Sequence, residues 1–203
     1  MLESEGNVST AVASSGNLNV TNNGGHCVLW LNRWFPPNFN WTFVVSPRNS
    51  SDGLNIVFFG AAGNGSGTTT NPPESIFDLR LPARTGIYNT YTRGAIQTYS
   101  VSYFRINNNT EPDVANLRKN PGFHLAKSGI DRVGYRPGPD FHVEVSKVGS
   151  LLTLSVDGKQ EVQWTDSGVL FGPVYGPGFL GLRQMRSTGW STYRDFVVRN
   201  VSV

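Results

Sequence analysis

Residues 115–129 form the most chemically distinctive stretch of this sequence. They carry Arg118, Lys119 and His124 together with Asn116, and they include no carboxylate. A guanidinium group binds a planar carboxylate through two parallel hydrogen bonds, and histidine is the side chain most often used as a general base near neutral pH. This combination predicts a binding site for an acidic ligand, in which Arg118 and His124 act together.

A second set of candidate residues lies just before this stretch. Alternation along residues 96–106 predicts a strand that places Tyr99, Tyr103 and Arg105 on one face. Each polar tip on such a face needs a partner when buried, so we expect the face to belong to an open, concave sheet that receives a polar ligand. The preceding residues add further basic and aromatic side chains, namely Arg84, Tyr88 and Tyr91. A solvent-facing strand and a merely solvated charge cluster are the alternative interpretations.

These residue types match the requirements of β-elimination across C4–C5 of a uronic acid. The reaction needs a cation to neutralise the carboxylate, a base to remove the C5 proton and an acid to protonate the leaving oxygen. We predict that Arg118 and Arg105 bind the carboxylate, with Arg84 and Asn116 assisting. The remaining candidates are His124 or Tyr103 as the base, Tyr88 or Tyr91 as the acid or stacking group, and Tyr99 and Lys119 as further substrate contacts.

Other catalytic chemistries find less support in the sequence. The only histidines are His26, His124 and His142, and no two of them lie close enough in the chain to suggest a zinc site, which needs three or four ligands. A retaining glycosidase needs two carboxylates about 5–5.5 Å apart. No alternating acidic run supplies them, although a pair assembled from distant strands remains an alternative. No cofactor is predicted; a structural calcium ion is compatible with such a protein, but no acidic cluster requires one.

The rest of the chain predicts an all-β scaffold that holds these residues. A composition with 23 Gly, 12 Pro, 12% aromatic and 15% charged residues is typical of packed sheets. Short alternating runs predict strands at residues 26–34, 40–46, 54–61, 96–106, 141–148, 151–156, 160–165, 178–185 and 193–203. Asp157-Gly158 predicts a hairpin, and residues 62–95 and 107–139 are expected to be long functional loops. We therefore predict one β-sandwich domain over residues 1–203.

Charge, hydropathy and cysteine content exclude several classes of protein. A formal net charge of +3 is too small for a protein that neutralises many phosphates, so no nucleic-acid partner is predicted. The longest apolar run, residues 56–62, falls far short of the roughly 20 residues that cross a bilayer. The single cysteine, Cys27, excludes an intrachain disulfide. An excess of N-x-S/T sequons favours a secreted, glycosylated chain; a cytoplasmic location is the alternative if no export signal was removed.

Several motifs resemble the YesU-like family, a concanavalin-like jelly-roll group found in bacterial rhamnogalacturonan-utilisation settings. They occur in the family's order and comprise FFGAAG (58–63), RTGIY (84–88) with Tyr91, SYFR (102–105), NLRKNPGFHLA (116–126), GPV (172–174), GLRQM (181–185) and YRDF (193–196). The resemblance implies a concanavalin-like jelly-roll sandwich of two antiparallel sheets, with long loops over a concave carbohydrate-binding face. It also implies a role in the breakdown of polysaccharides that contain uronate or rhamnose.

The leading hypothesis is a secreted carbohydrate-active protein that degrades a uronic-acid-containing polysaccharide by β-elimination, as a polysaccharide lyase or an oligosaccharide dehydratase. Its predicted partner is an acidic polysaccharide or oligosaccharide. Two alternatives stay open. One is a non-catalytic lectin-like module that binds acidic glycan with the same residues, and the other is a glycoside hydrolase whose carboxylate pair the sequence does not reveal.

Overall fold

The computed structural model describes residues 1–47, 53–64, 75–106, 113–132 and 140–202, and β-strands dominate this part of the chain. The strands are β1 (Leu2–Glu5), β2 (Val8–Val12), β3 (Leu18–Asn22), β4 (His26–Trp30), β5 (Phe39–Pro47), β6 (Gly53–Gly63), β7 (Ile96–Ile106), β8 (Asp113–Asn120), β9 (His124–Asp131), β10 (Phe141–Val148), β11 (Leu151–Val156), β12 (Lys159–Thr165), β13 (Phe179–Gln184) and β14 (Trp190–Asn200). The described helices are α1 (Asn89–Thr92) and a 3₁₀ helix (Arg186–Thr188).

The strands form two seven-stranded sheets whose neighbouring strands run antiparallel. The first sheet has the order β1-β4-β13-β6-β7-β8-β9, and the second has the order β12-β11-β10-β5-β14-β3-β2. Successive side chains of a strand point to opposite faces, so each sheet has an inner face towards the other sheet and an outer face away from it. The predicted all-β sandwich of two antiparallel sheets is confirmed.

The hairpin of β11 and β12 shows how local sequence specifies this architecture. In the neighbouring β10, Phe141, Val143 and Val145 are buried, while the residues between them face solvent. Asp157 and Gly158 connect β11 to β12 with φ angles of 49° and 73°. Positive φ at both central residues is the backbone of a type I′ turn, which matches the twist of the flanking strands. The predicted hairpin is therefore confirmed.

The inner faces of the two sheets share one apolar core. Trp41 and Val145 of the second sheet belong to the same buried cluster as Phe59, Val101 and Leu117 of the first. Removal of these side chains from water is the main favourable contribution to folding. The core holds the first sheet rigid, and the outer face of that sheet is where the candidate site lies.

The structure corrects, over residues 113–132, the prediction that residues 107–139 form an irregular loop, while residues 107–112 and 133–139 of that loop lie outside the described residues. Strands β8 and β9 lie within this range and extend the first sheet. In β8, Ala115 and Leu117 are buried, but the next inward position holds the buried Lys119. A charge at an inward position hides the apolar alternation by which a strand is recognised. The prediction also omitted β1, β2 and β3, which are short and rich in polar residues.

Residues 75–95 cover part of the outer face of the first sheet. The loop predicted for residues 62–95 is confirmed here apart from α1, but residues 62–63 belong to β6, and residues 65–74 lie outside the described residues. Ile76 and Tyr91 pack with Trp30 and Phe58 in a second apolar cluster. The carboxylate of Glu3 accepts hydrogen bonds from Arg84 Nη2 and Tyr91 Oη, both at 2.7 Å, and these bonds tie residues 75–95 to β1. The outer face of β7 and β8 lies beside this covered area.

Candidate functional site

A cavity of about 210 Å³ lies on the outer face of the first sheet. Its lining residues are Leu54, Ile56, Tyr88, Ser100, Ser102, Arg105, Asn116, Arg118 and Phe123. In the sheet register, Ser100 of β7 lies between Phe58 of β6 and Arg118 of β8. Because serine side chains are small, Ser100 and Ser102 form a low floor, and the longer side chains of the neighbouring strands and loops form the walls.

A β-bulge brings Arg105 to this face. Simple alternation along β7 would place Phe104 on the outer face and Arg105 on the inner face. Phe104 instead has a φ of 51°, and the pairing of β6 with β7 shifts between Gly53 and Asn55. Phe104 is therefore buried in the core, and Arg105 lines the cavity. A bulge that redirects a side chain in this way is common next to functional sites.

Arg118 is held in place by Phe123. The Arg118 Cζ atom lies 3.9 Å from the centre of the Phe123 ring, and Arg118 Nη1 donates a hydrogen bond of 3.2 Å to the Phe123 carbonyl oxygen. The Tyr88 ring meets the Phe123 ring edge-on at a centroid distance of 5.7 Å. These contacts leave the guanidinium group a limited set of orientations, so part of its conformational entropy is lost before any ligand binds.

The two arginines of the cavity repel each other. Partial burial is the main cause that lowers the pKa of Arg118; Tyr88 acts in the opposite direction, and the like charge of Arg105 lowers the pKa further. No ion pair joins either guanidinium group to a carboxylate in the described part of the chain. A bound anion would relieve this repulsion.

The remaining polar groups of the cavity are arranged as hydrogen-bond donors. The Ser102 hydroxyl oxygen accepts a hydrogen bond from the Asn116 backbone N–H at 3.0 Å, and the Ser100 hydroxyl oxygen accepts one from Asn120 Nδ2 at 3.1 Å. Each hydroxyl group keeps its own proton for another acceptor. The Asn116 side-chain oxygen accepts from Ser128 Oγ at 2.8 Å, which leaves its amide N–H groups as donors. The site therefore offers donors and cations to an oxygen-rich, anionic ligand.

Four of the predicted site residues meet in this cavity, and they are Tyr88, Arg105, Asn116 and Arg118. The sequence analysis missed Leu54, Ile56, Ser100, Ser102 and Phe123. For the two serines the signal was present, because alternation along β7 assigns them to the face opposite Tyr99 and Tyr103. That face was not considered because serine carries little chemistry of its own.

The structure corrects the roles predicted for Tyr99 and Tyr103. Both side chains point to the inner face and belong to the core, with relative exposures of 0% and 1%. Tyr99 Oη donates to Asp166 Oδ2 at 2.5 Å and accepts from the Tyr175 N–H at 2.9 Å. Burial raises the pKa of Tyr103 well above its usual value. A phenol enclosed between two sheets cannot contact a glycan, so neither residue serves as a base or a stacking surface.

Lys119, Arg84 and Tyr91 all form structural contacts. The Lys119 ammonium group is buried and donates to Asp166 Oδ2 at 2.6 Å. Arg84 and Tyr91 both donate hydrogen bonds to the buried carboxylate of Glu3. Lys119 therefore ties β8 to the segment that follows β12, and the other two tie residues 75–95 to β1. Because Lys119 and Tyr91 are fully buried, the prediction that they contact substrate was wrong. Arg84 lines a different cavity, next to β1, and its role as a substrate contact stays a prediction.

His124 and Arg118 do not converge on one side of the sheet. His124 pairs with Lys119 across β8 and β9, whereas Arg118 pairs with Leu125. Directly paired residues point to the same face, so the His124 side chain points to the side opposite Arg118. The His124 ring stacks on the Phe171 ring at 4.6 Å and does not line the cavity. The candidate site therefore lacks the general base that the sequence analysis assigned to it.

Metal chemistry finds no support in the part of the chain that the structure describes. No group of three or more His, Cys, Asp or Glu side chains there could hold a metal ion.

Among the same residues, no helix is long and apolar enough to span a membrane.

Comparison with known proteins identifies relatives of this chain. The sequence model of the family described as "Domain of unknown function (DUF1961)" matches residues 2–198. The uncharacterized protein YesU of Bacillus subtilis (strain 168) is 36% identical over 180 residues, which cover 85% of this chain and 76% of YesU. A protein of unknown function with a galectin-like fold from Bacillus subtilis superimposes with a TM-score of 0.81 at 31% identity, covering 98% of this chain and 89% of that protein.

Two further solved structures share the fold at low sequence identity. The carbohydrate-binding module CBM66 from Bacillus subtilis has a TM-score of 0.59 at 11% identity, covering 96% of this chain and 92% of the module. A β-glucanase from Bacillus licheniformis has a TM-score of 0.56 at 9% identity, covering 98% of this chain and 89% of the enzyme. The predicted concanavalin-like jelly roll is confirmed, and proteins that share it include both a carbohydrate-binding module and a carbohydrate-active enzyme.

Proposed function

The chain belongs to the DUF1961 family, and we propose that it is a glycan-binding protein whose outer-face cavity receives the carboxylate of an acidic sugar residue. The observation that carries this proposal is the pair Arg105 and Arg118, two like charges that face one cavity, and the described residues that line this cavity include no carboxylate. Arginine binds a carboxylate through a fork of two hydrogen bonds, which gives both affinity and orientation. A uronic acid is the sugar class that supplies such a group.

The other walls of the cavity suit the rest of a sugar ring. Leu54, Ile56 and Phe123 offer apolar surface, while Ser100 and Ser102 offer hydroxyl donors. Ligand pockets commonly combine apolar walls with a few placed polar groups. The volume of about 210 Å³ is below the roughly 300–1,000 Å³ of sites for drug-sized ligands. It matches one sugar residue of a longer chain, and CBM66, which shares the fold, is a carbohydrate-binding module.

Titration calorimetry with galacturonate oligosaccharides tests this proposal. Arg118→Ala should weaken binding by about tenfold to a hundredfold, because a hydrogen bond to a charged group is worth roughly 1.5–3 kcal/mol. Arg199→Ala is the matched control, since Arg199 is exposed on β14 of the second sheet. Affinity of Arg118→Ala equal to that of the wild type, or equal losses in both variants, would overturn the proposal.

β-Elimination is a second candidate function, and Tyr88 is the observation that favours it. Tyr88 contributes a phenol to the cavity. Burial raises the pKa of Tyr88, while the charges of Arg183 and Arg118 act in the opposite direction. A phenol with a raised pKa keeps its proton, which suits the acid that protonates the leaving oxygen more than the base that removes the C5 proton. Binding is the first candidate because no histidine or carboxylate lines the cavity within the ranges that the structure describes.

In the elimination, the C5 proton passes to a solvent water molecule, the C5–H electron pair forms the C4–C5 double bond, and the C4–O bond breaks with its electron pair on the departing oxygen, which takes a proton from the Tyr88 phenol. The wild-type protein should be incubated with uronate polysaccharides and the products followed by ultraviolet absorbance and mass. Growth of the unsaturated-uronate absorbance that Tyr88→Phe abolishes would establish this function. Binding without any such product would reject it, and saturated products would indicate hydrolysis instead.

A further inference from the structure

Arg183 is a buried cation with few partners. It lies on the outer face of β13, paired with Val28 of β4 and Ile56 of β6, and its relative exposure is 1%. Arg183 Nη1 donates to the Gly86 carbonyl oxygen, and Arg183 Nε has no hydrogen-bond partner within the described residues. Burying a charge is costly unless it is paired. This arrangement therefore needs an explanation.

Aromatic rings provide part of the compensation that Arg183 receives. Its Cζ atom lies 4.9 Å from the centre of the Tyr88 ring and 5.8 Å from that of Tyr91. The Glu3 carboxylate is engaged by Arg84 and Tyr91, and the charge of Glu5, which is exposed to solvent, acts on Arg183 without forming an ion pair with it among the described residues. Cation–π contacts are weaker than a buried ion pair. No described carboxylate forms an ion pair with Arg183, so its positive charge is only partly compensated.

This field reaches the candidate site. Tyr88 and Ile56 both line the cavity, and both are direct neighbours of Arg183. The cavity thus has two guanidinium groups on its surface, Arg105 and Arg118, and a third immediately behind its wall. A buried charge is screened by solvent much less than a surface charge.

We propose that Arg183 is a specificity-determining residue, whose buried charge makes the cavity select an anionic sugar over its neutral counterpart. This inference rests on the proposed function and names the residue that makes the cavity prefer a charged sugar to a neutral one. Arg183 acts without touching the ligand, through the electrostatic field of its buried charge. The Arg183 Cζ atom lies 4.9 Å from the centre of the Tyr88 ring, and contact with that ring adds about 4 Å, so a ligand charge beyond the ring would lie about 9 Å away. At this separation and an effective dielectric constant of about 20, the charge changes the affinity for a univalent anion by roughly tenfold to thirtyfold.

The quantity to measure is the ratio of affinities for a galacturonate oligosaccharide and for the same oligosaccharide fully methyl-esterified. Esterification removes the charge and keeps the ring, so the ratio isolates the electrostatic contribution. Arg183→Gln should reduce the ratio by roughly tenfold to thirtyfold, with little change for the ester. Arg183→Lys should keep most of the ratio, because it keeps the charge. A purely structural role would lower both affinities together and would leave the ratio unchanged.

A measurement on the wild-type protein covers the case in which Arg183→Gln does not fold. The Arg183 Nε–H resonance should shift in an NMR titration with the acidic oligosaccharide, and it should shift far less with the ester. An unchanged resonance, or an unchanged ratio in a folded Arg183→Gln variant, would overturn the role of Arg183. If the wild type itself does not prefer the acidic ligand, the proposed function fails instead.

Discussion

Replacement of Lys119 by methionine should strongly destabilise the protein, because it removes one half of a buried ion pair. The Lys119 ammonium group donates to Asp166 Oδ2 and to the carbonyl oxygens of Gly172 and Pro173 at 2.6–2.7 Å. Methionine retains much of the volume, but the Asp166 side chain is 0% exposed and would lose its counter-charge. Breaking a buried pair in this way costs about 3–5 kcal/mol, which lowers Tm by roughly 6–20 °C in a chain of this size.

The pH dependence distinguishes a lost ion pair from a packing defect. In the native protein, burial alone would raise the pKa of Asp166, but hydrogen bonds from Lys119, Tyr99 and the Gly168 N–H outweigh it and hold the pKa below its usual value. The carboxylate therefore stabilises the fold above its unfolded pKa of about 3.9, and this contribution is lost as the pH falls through the lower folded pKa. Without Lys119, burial should raise the folded pKa of Asp166. The deficit of the variant should then shrink as the pH falls from neutral towards the unfolded pKa.

Urea unfolding followed by tryptophan fluorescence, at neutral and at mildly acidic pH, measures both effects. The double variant Lys119→Met/Asp166→Asn should be more stable than Lys119→Met at neutral pH, because it no longer buries an unpaired charge. A loss below about 1 kcal/mol, the value of an exposed ion pair, would refute this reasoning. An equal deficit at both pH values would refute it as well.

Three further substitutions test other parts of the structure. Phe123→Ala removes the ring that lies 3.9 Å from Arg118 Cζ, so binding of the acidic oligosaccharide, measured by calorimetry, should weaken about threefold to tenfold. The control is Phe171→Ala, which removes the ring stacked on His124 and should leave the affinity unchanged. Gly53→Ala places a Cβ atom 2.5 Å from Phe104 Cε1, and should cost about 1–3 kcal/mol in urea unfolding, whereas Gly176→Ala has open space and should not. Glu3→Gln removes the carboxylate that pairs with the buried Arg84 side chain, so it should lower Tm. The preference for the acidic over the esterified ligand should stay the same. A changed preference would contradict the structural role assigned to Glu3.

The parts of the fold that the sequence predicts well are those set by local pattern. Phe141, Val143 and Val145 alternate with polar residues, and Asp157-Gly158 has the backbone preference of a tight turn, so the β10–β12 region was predictable without any tertiary information. Alternation also separated Tyr99 and Tyr103 from the serines of β7. It does not say which face is covered by a second sheet, and for this reason the tyrosines were assigned to the wrong environment.

The candidate site was harder to predict because tertiary pairing decides it. Arg118 and Lys119 are adjacent cations in the sequence, but the strand places one in the cavity and the other in the core beside Asp166. The His124 side chain lies on the same face of the sheet as Lys119, because the two residues pair across β8 and β9. Arg105 reaches the cavity only through the bulge at Phe104, which breaks the alternation. None of these outcomes follows from residue spacing alone.

The structure of the protein bound to a galacturonate oligosaccharide tests the central claim most directly. We expect a sugar residue in the cavity between Tyr88 and Ser100, with its carboxylate about 2.7–2.9 Å from the guanidinium groups of Arg118 and Arg105. A sugar bound elsewhere would contradict it, for example on the outer face of the second sheet beside His142 and Glu144. A sugar in the cavity whose carboxylate points away from both arginines would contradict it equally.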